Sequence, residues 1–326
     1  MTLAMGDSSL LEIRDLVKHF PVRAGLLSRS RLVVRAVDGI SFSVRQGETF
    51  GLVGESGCGK TTTGRIVLRL VQPTSGTVRF EGTDVWTMKP SEVKALRRKM
   101  QVVFQDAFSS FDPRRRVGDI IEEPLKVHGI GTASERAERV EDILRLVGQS
   151  PEIAREYPHA LSSGQKQCVG IARALALSPT FLVCDEPVSN LDALVRAQVL
   201  NLLRSLQAVM GLTYLFIAHD MSVVRFISDR VGVMYLGLIV EMASKVELFS
   251  RPLHPYTIAL LSAVPVPDPR AVARRELLEG DVPSPVAPPP GCRFHTRCSR
   301  AKSLCAEVEP SLREAAPGHL VACHVV

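Results

Sequence analysis

An α/β fold with a parallel core sheet is what this 326-residue sequence predicts, because three short apolar runs each end in reactive residues. Residues 48–53 (Glu48-Thr49-Phe50-Gly51-Leu52-Val53) run into Gly54-Glu55-Ser56-Gly57-Cys58-Gly59-Lys60-Thr61. Residues 181–184 (Phe181-Leu182-Val183-Cys184) deliver Asp185 and Glu186, and residues 213–218 end in His219-Asp220. Buried strands of a parallel sheet read as short, unbroken apolar runs. Ligand sites in such sheets lie at the carboxyl ends of the strands.

The elements follow in order. Residues from about 10 to 44 are expected to be β-rich, with alternation in Val33-Val34-Arg35-Ala36-Val37 and Ile40-Ser41-Phe42-Ser43-Val44 and a basic insert at about 23–35. A helix is expected from about 60 to 71. Between about 106 and 161 the pattern turns helical: Val140, Ile143, Leu144 and Val147 recur at helical spacing, and Gly148 ends the run. Leu161-Ser162-Ser163-Gly164-Gln165 opens a helix over 167–177, with Ser162 placed as N-cap. A helix over 193–210, further strands and a helical tail to about 263 complete a domain spanning 10–263, its helical subdomain at about 106–165. Pro265, Pro267, Pro269, Pro283, Pro285, Pro288, Pro289 and Pro290 then mark an extended tether inside an appendage of 264–326.

Residues 54–61 match the phosphate-loop pattern G-x-x-x-x-G-K-[ST], which binds a nucleoside triphosphate. Gly54, Gly57 and Gly59 let the backbone bend so that successive N–H groups face phosphate. The helix that follows offers the same anion its positive end. Gly54, Glu55, Ser56, Gly57, Cys58, Gly59, Lys60, Thr61 and Thr62 thus form the expected nucleotide cradle, with Lys60 on the β- and γ-phosphates and Thr61 on Mg²⁺. Asp185 suits the Mg²⁺ shell, directly or through water, and Glu186 stands where it can polarise the attacking water.

Leu161-Ser162-Ser163-Gly164-Gln165, about 20 residues before Asp185-Glu186, narrows the field. With both motifs present the chain resembles the ATPase subunit of an ATP-binding-cassette (ABC) transporter. That resemblance implies an ABC-type nucleotide-binding domain with a RecA-like core sheet, a β subdomain and a helical subdomain. It implies that Phe20 stacks on adenine, the alternative being an ordinary core Phe. Gln105 would sense Mg²⁺ and lead toward a transmembrane partner, and His219 would contact the γ-phosphate. Ser162, Ser163, Gly164 and Gln165 would close over the ATP held by the opposite subunit of a head-to-tail dimer, with Ser189 and Asp192 communicating across it. Ser163 departs from the usual L-S-G-G-Q and is expected to slow turnover only modestly. Cys168 stands where the family commonly has a basic residue.

Tyr157-Pro158-His159, Asp185-Glu186-Pro187-Val188-Ser189, His254-Pro255-Tyr256-Thr257 and Leu278-Glu279-Gly280-Asp281-Val282-Pro283-Ser284-Pro285 resemble the dipeptide/oligopeptide importer ATPases, and more closely the second of the two ATPase subunits they carry. The resemblance implies a complex of two different ATPases, two transmembrane permease subunits and an extracytoplasmic binding protein. In such a complex this chain would sit at the cytoplasmic face of the plasma membrane and never touch the cargo. Dipeptides, longer peptides, nickel chelates and glutathione are all served by close relatives. A non-transport cassette ATPase acting on nucleic acid or ribosomes usually carries tandem cassettes or long coiled-coil insertions, and this chain has neither. A binding-only subunit would lack Glu186 or His219.

No apolar run approaches the 18 or more residues of a membrane span; the longest candidate, 231–240, is strand-sized and broken by glycines. The N-terminus lacks the apolar core of a signal peptide. The net charge of +6 is carried by scattered basic residues, which reads as a solvated surface with no nucleic-acid partner. Cys58, Cys168 and Cys184 sit inside the motifs, where packing explains them. The other four, Cys292, Cys298, Cys305 and Cys323, crowd the tail. A reducing cytosol argues against disulfides, and neither short gap has the C-x2-4-C spacing of common zinc sites. Four thiolates suffice for a [4Fe–4S] cluster, which similar tails on peptide-importer ATPases are associated with; zinc and free thiols stay open. A short Pro-rich tail is expected to need such a metal in order to fold.

Overall fold

The computed structural model describes residues 9–23, 31–106, 110–264, 278 and 280–326. The chain divides into two units, one made of Met1–Trp86 with Ile217–Val326 and the other of Thr87–Phe216.

In the first unit β1 (Ser9–Arg23) pairs antiparallel with β2 (Arg31–Arg45), setting Ile13 opposite Phe42 and Phe20 opposite Val34. Period-two alternation decides which face is covered: Leu11, Ile13, Phe42 and Val44 are buried, while Glu12, Ser41 and Ser43 stay partly exposed. Of the basic insert, residues 24–30 lie outside the described residues and 31–35 belong to β2. The buried β3 (Thr49–Val53) stacks Phe50 on Phe42 at 4.7 Å and leads through the glycine-rich loop into α1 (Lys60–Val67). The pattern predicts helix to residue 71, but the structure ends it at Val67. Arg69 takes a left-handed φ of 56°, and the Leu70 N–H turns back to the Arg65 carbonyl at 2.8 Å. β4 (Ser75–Phe80) and β5 (Thr83–Asp84) complete a four-stranded sheet of order β2-β1-β4-β5.

The second unit begins with α2 (Pro90–Lys99) and β6 (Met100–Val103). The predicted helical region supplies α3 (Val117–His128) and α4 (Ala133–Leu146). Thr132 and Glu135 form a capping box that starts α4, whose Val140, Ile143 and Leu144 are buried. α5 (Ser163–Leu175) opens four residues earlier than predicted and packs against α3, α4 and β6. It leads to β7 (Phe181–Asp185), parallel to β6 with Cys184 beside Val103. α6 (Ala193–Met210) stops at Gly211, which takes φ 64°, and the wholly buried β8 (Thr213–Ala218) neighbours β7 in the order β8-β7-β6.

The chain then returns to the first unit through α7 (Met221–Ile227), β9 (Arg230–Tyr235), β10 (Leu238–Ser244), α8 (Lys245–Ser250) and α9 (Pro255–Ser262). β9 runs parallel to β3, Val233 beside Val53, and β10 lies antiparallel to β9. Residues 265–277 of the predicted tether are outside the described residues; residues 281–290 carry no helix or strand, and the Pro285 carbonyl accepts the Arg35 N–H at 3.0 Å.

The tail beyond departs from the expectation of a separate appendage. After α10 (Ser303–Glu307), β11 (Arg313–Ala316) and β12 (His319–Val321) extend the main sheet, with β12 antiparallel to β10 and Val321 opposite Glu241. The tail therefore uses a core that already exists and caps a sheet edge that would otherwise expose unpaired N–H and C=O groups. Among the described residues no helix is long and apolar enough to cross a membrane.

Candidate functional site

Each unit carries its own half of the predicted machinery. In the first, β3 delivers a loop that tolerates no side chain at two of its glycines. A Cβ on Gly54 would lie 2.1 Å from the Met234 carbonyl oxygen, and one on Gly59, at φ 110°, 2.0 Å from the Ala36 carbonyl oxygen. Those contacts are with backbone and cannot yield. Lys60, 4% exposed, lies across the loop, and its Nζ donates to the carbonyls of Gly54 at 2.7 Å and Glu55 at 2.9 Å. Burial pushes the Cys58 thiol up, so it acts as a packing group beneath the lysine. Ser56, Gly57, Thr61 and Thr62, the other residues expected in the cradle, lie along the loop and the first turn of α1.

Phe20 projects from β1 with 36% of its surface exposed and Lys18 Nζ 4.7 Å from its ring centre, so it is not the core Phe of the alternative reading. Next to it His19 Nε2 contacts Asp38 Oδ1 at 2.7 Å. His219 stands exposed at the end of β8, and Asp220 caps α7 by accepting the Ser222 N–H at 2.8 Å.

In the second unit Gln105 Nε2 donates to Glu186 Oε2 at 3.1 Å, joining two residues 81 positions apart. Glu186 adopts a left-handed φ of 49°, an uncommon conformation for a non-glycine. Its carbonyl accepts from the Ser189 N–H (3.3 Å) and Oγ (3.1 Å), which hold the turn. Asp185 closes β7 one residue before it. Asp192 caps α6 by accepting from Leu194 N–H at 3.1 Å and Val195 N–H at 3.0 Å.

Ser162 caps α5: its Oγ accepts the Gln165 N–H at 3.3 Å while Gln165 Oε1 accepts the Ser162 N–H at 3.0 Å. The two signature positions after it differ sharply. Ser163 is exposed at the first turn, which explains why serine is accommodated there. A Cβ on Gly164 would come within 2.7 Å of Val195 Cγ1. Cys168 is buried in α5, where burial raises its thiol and the Gln149 side chain bonds it. A cleft of about 210 Å³, lined by Gln105, Asp106, Ser163, Lys166, Asn190 and Leu191, connects the Gln105 segment, the signature and the turn before α6.

The sequence reading missed the support beneath the phosphate loop. Tyr256 Oη accepts the Glu55 N–H at 2.9 Å, and Arg297 from the tail pairs with the Glu55 carboxylate. His254, 1% exposed, caps α9, its Nδ1 accepting the Tyr256 N–H at 3.0 Å. Burial alone drives the imidazole down to about 3, so it is neutral. Buried Glu241 accepts the N–H groups of Leu253 (2.7 Å) and His254 (3.0 Å) and meets His319 Nε2 at 2.7 Å, fastening β12 to α9. No spacing signals these pairs; only their chemistry does, since charged residues this buried need partners.

The tail cysteines do not assemble as predicted. Cys292, Cys298, Cys305 and Cys323 gather in one region, where the Cys292 N–H donates to the Cys305 carbonyl at 2.7 Å. Burial first, and then the nearness of the other three thiols, pushes Cys292 up to about 11. Among the described residues, however, no three His, Cys, Asp or Glu side chains are arranged to hold a metal ion. The expected dependence of tail folding on metal has a structural alternative in β12, His319 and Glu241.

The description "ABC transporter" matches residues 37–189, and "Oligopeptide/dipeptide transporter, C-terminal region" matches residues 240–305. The oligopeptide transport ATP-binding protein AppF of Bacillus subtilis is 52% identical over 325 residues, 99% of each chain. The chain belongs to the ABC transporter family, among its oligopeptide/dipeptide ATP-binding subunits. Solved ABC cassettes share the fold. MJ0796, in a dimeric post-hydrolysis state bound to ADP and Pi, gives a TM-score of 0.64 at 26% identity over 72% of this chain and 98% of its own. The cbiO1 cassette of Clostridium perfringens gives 0.65 at 25% identity over 75% and 92%. This ABC subunit thus keeps the phosphate loop, the Gln105–Glu186 pair and a capped signature helix, and the family's second matched region covers much of the tail that supports Glu55.

Proposed function

We propose that the chain binds and hydrolyses ATP to energise peptide import, within a complex of a paralogous ATPase, two permease subunits and an extracytoplasmic binding protein. The observation that carries this reading is the 52% identity to an oligopeptide transport ATP-binding protein over 99% of both chains, and the sequence retains Lys60, Asp185, Glu186 and His219 while Ser163 departs from the usual signature. Peripheral attachment at the cytoplasmic membrane face follows from that assembly. Import of a nickel chelate or glutathione would use the same ATPase.

In this reading the loop N–H groups and Lys60 bind the phosphates, and Phe20 supplies an exposed aromatic face for adenine. Glu186 aligns the attacking water and accepts its proton as the oxygen bonds to the γ-phosphorus, while the Gln105 amide donates to the carboxylate. His219 orients the γ-phosphate end. Thr61, Asp185 and Gln105 offer hydroxyl, carboxylate and amide oxygens, the donor set a Mg²⁺ ion takes; when bound it neutralises charge on the phosphates. Ser162, Ser163, Gly164 and Gln165 present a helix N-terminus to the nucleotide of the opposite subunit, with Ser189 and Asp192 beside it.

Hydrolysis by the purified chain should therefore be slow. Adding the paired ATPase and permeases should raise it about tenfold or more, about 1.4 kcal/mol of barrier. Full activity at dilution, independent of protein concentration, would refute the shared-site arrangement.

For the tail cysteines, a [4Fe–4S] centre is proposed, with zinc and free thiols as the other readings. It is supported by the nearness of Cys298, Cys305 and Cys323 to Cys292, whose thiol is raised first by burial and then by those neighbours. Anaerobic purification decides it: brown protein containing iron supports the cluster, and colourless protein without iron or zinc leaves free thiols.

A further inference from the structure

Glu55 is an unexpected residue to find inside a phosphate cradle, because its carboxylate carries the same sign as the ligand. The structure answers that charge with Arg297, only 7% exposed at its side chain, whose Nη1 and Nη2 reach Glu55 Oε2 at 2.8 Å and Oε1 at 3.1 Å. Two parallel charge-assisted bonds of this kind fix both partners in angle as well as distance. The remaining polar groups of Glu55 are also bound: its N–H donates to Tyr256 Oη, and its carbonyl accepts Lys60 Nζ. One residue thus links the tail, α9 and the phosphate-binding lysine.

The same tail turn makes a second set of contacts through Arg293. Four residues before Arg297, the buried Arg293 donates to the Leu236 carbonyl at 2.6 Å and pairs with Asp38, which also contacts His19 beside Phe20. Burial works to raise the Asp38 carboxyl, and hydrogen bonds from Arg293 and His19 overcome it and hold the group below its usual range. Between the two arginines Phe294 packs against Tyr235 at 5.3 Å and Tyr256 at 5.4 Å, so the turn is anchored by an aromatic cluster.

We propose that Arg297 is a positioning residue for the phosphate loop: by neutralising and orienting Glu55 it sets the backbone and Lys60 for the nucleotide, making the turn between Cys292 and Cys298 a working part of the ATP site. The inference rests on the nucleotide-binding reading of the loop. It predicts an asymmetry that a purely structural contact would not show. Removing Arg297 leaves an uncompensated carboxylate facing a polyanion, whereas removing Glu55 as well takes that repulsion away.

The test is binding of a fluorescent ATP analogue to the full-length chain, with KM and kcat measured in the assembled transporter. Arg297→Gln should weaken binding about tenfold and raise KM accordingly, with kcat changed less than about threefold. Arg297→Lys, which keeps charge but loses the two-pronged geometry, should fall between it and wild type. Adding Glu55→Gln to Arg297→Gln should recover most of the lost affinity. Unchanged affinity in Arg297→Gln, or a double variant as weak as the single one, would overturn the proposal. Lys60→Ala separates the two levels: if it too binds nucleotide normally, the loop reading fails and this inference with it, whereas loss of binding in Lys60→Ala alone refutes only the role of Arg297.

Discussion

Acid should unfasten the floor of the phosphate loop through His254, and the size of the effect follows from its burial. The imidazole is 1% exposed, its Nδ1 accepts the Tyr256 N–H, and its Nε2 meets no hydrogen-bond partner. Burial lowers it from 6.5 to about 3. The unfolded chain takes up a proton below about 6.5, while the folded chain does so only near 3. Stability is therefore fully present above pH 6.5 and is lost as pH falls toward 3. At pH 5 the unfolded state has gained about 2 kcal/mol from this one group, a large share of a typical 5–15 kcal/mol. Carboxylates also titrate in acid, so the measurement must isolate His254. Asn at this position is a good N-cap whose side-chain oxygen can accept the Tyr256 N–H without titrating. Urea unfolding of wild type and His254→Asn at pH 7.5 and 5.0 should show wild type losing about 2 kcal/mol more than the variant. Equal losses would falsify the neutral, buried imidazole.

Two further substitutions probe the second unit. Glu186→Gln should retain ATP binding and accumulate a closed dimer while turnover drops by about 10²-fold or more, the usual contribution of a positioned base; near wild-type turnover would remove Glu186 from that role. At the signature, Gly164→Ala should cost about 1–3 kcal/mol of stability because its Cβ would meet Val195 Cγ1 at 2.7 Å, partly relieved by Val195→Ala. Ser163→Gly, at an exposed first-turn position, should change stability by less than about 1 kcal/mol. Equal effects from the two would show that packing against α6 does not distinguish them.

What could be read from the sequence was whatever neighbouring residues decide among themselves. Gly54, Gly59 and Lys60 follow a strand by fixed spacing, and Ser162 caps its own helix; each is a contact within a few positions. Even locally the reading failed where one backbone angle decided, as at Arg69, whose left-handed φ ends α1 and leaves no compositional trace. Long-range polar pairs leave less still. Gln105 and Glu186 are 81 positions apart, and Glu55 and Arg297 are 242 apart. A buried arginine in a tail is spelled like any solvated one, so Arg293 and Arg297 could be taken for surface charge.

The tail shows the consequence. Four of its cysteines crowd the last 35 residues, and that clustering points to a metal as the source of order. The structure offers another source in residues with no spacing at all: the β12 ladder on β10, the His319–Glu241 contact and the ion pairs of Arg293 and Arg297. If that network suffices, removing any bound metal should loosen the turn around Cys292 and Cys298 while β12 stays paired. Hydrogen exchange of the chelator-treated chain reads this directly. Amides of residues 319–321 should stay protected, and their loss together with those of residues 292–298 would show that a metal, and not the sheet, holds the tail.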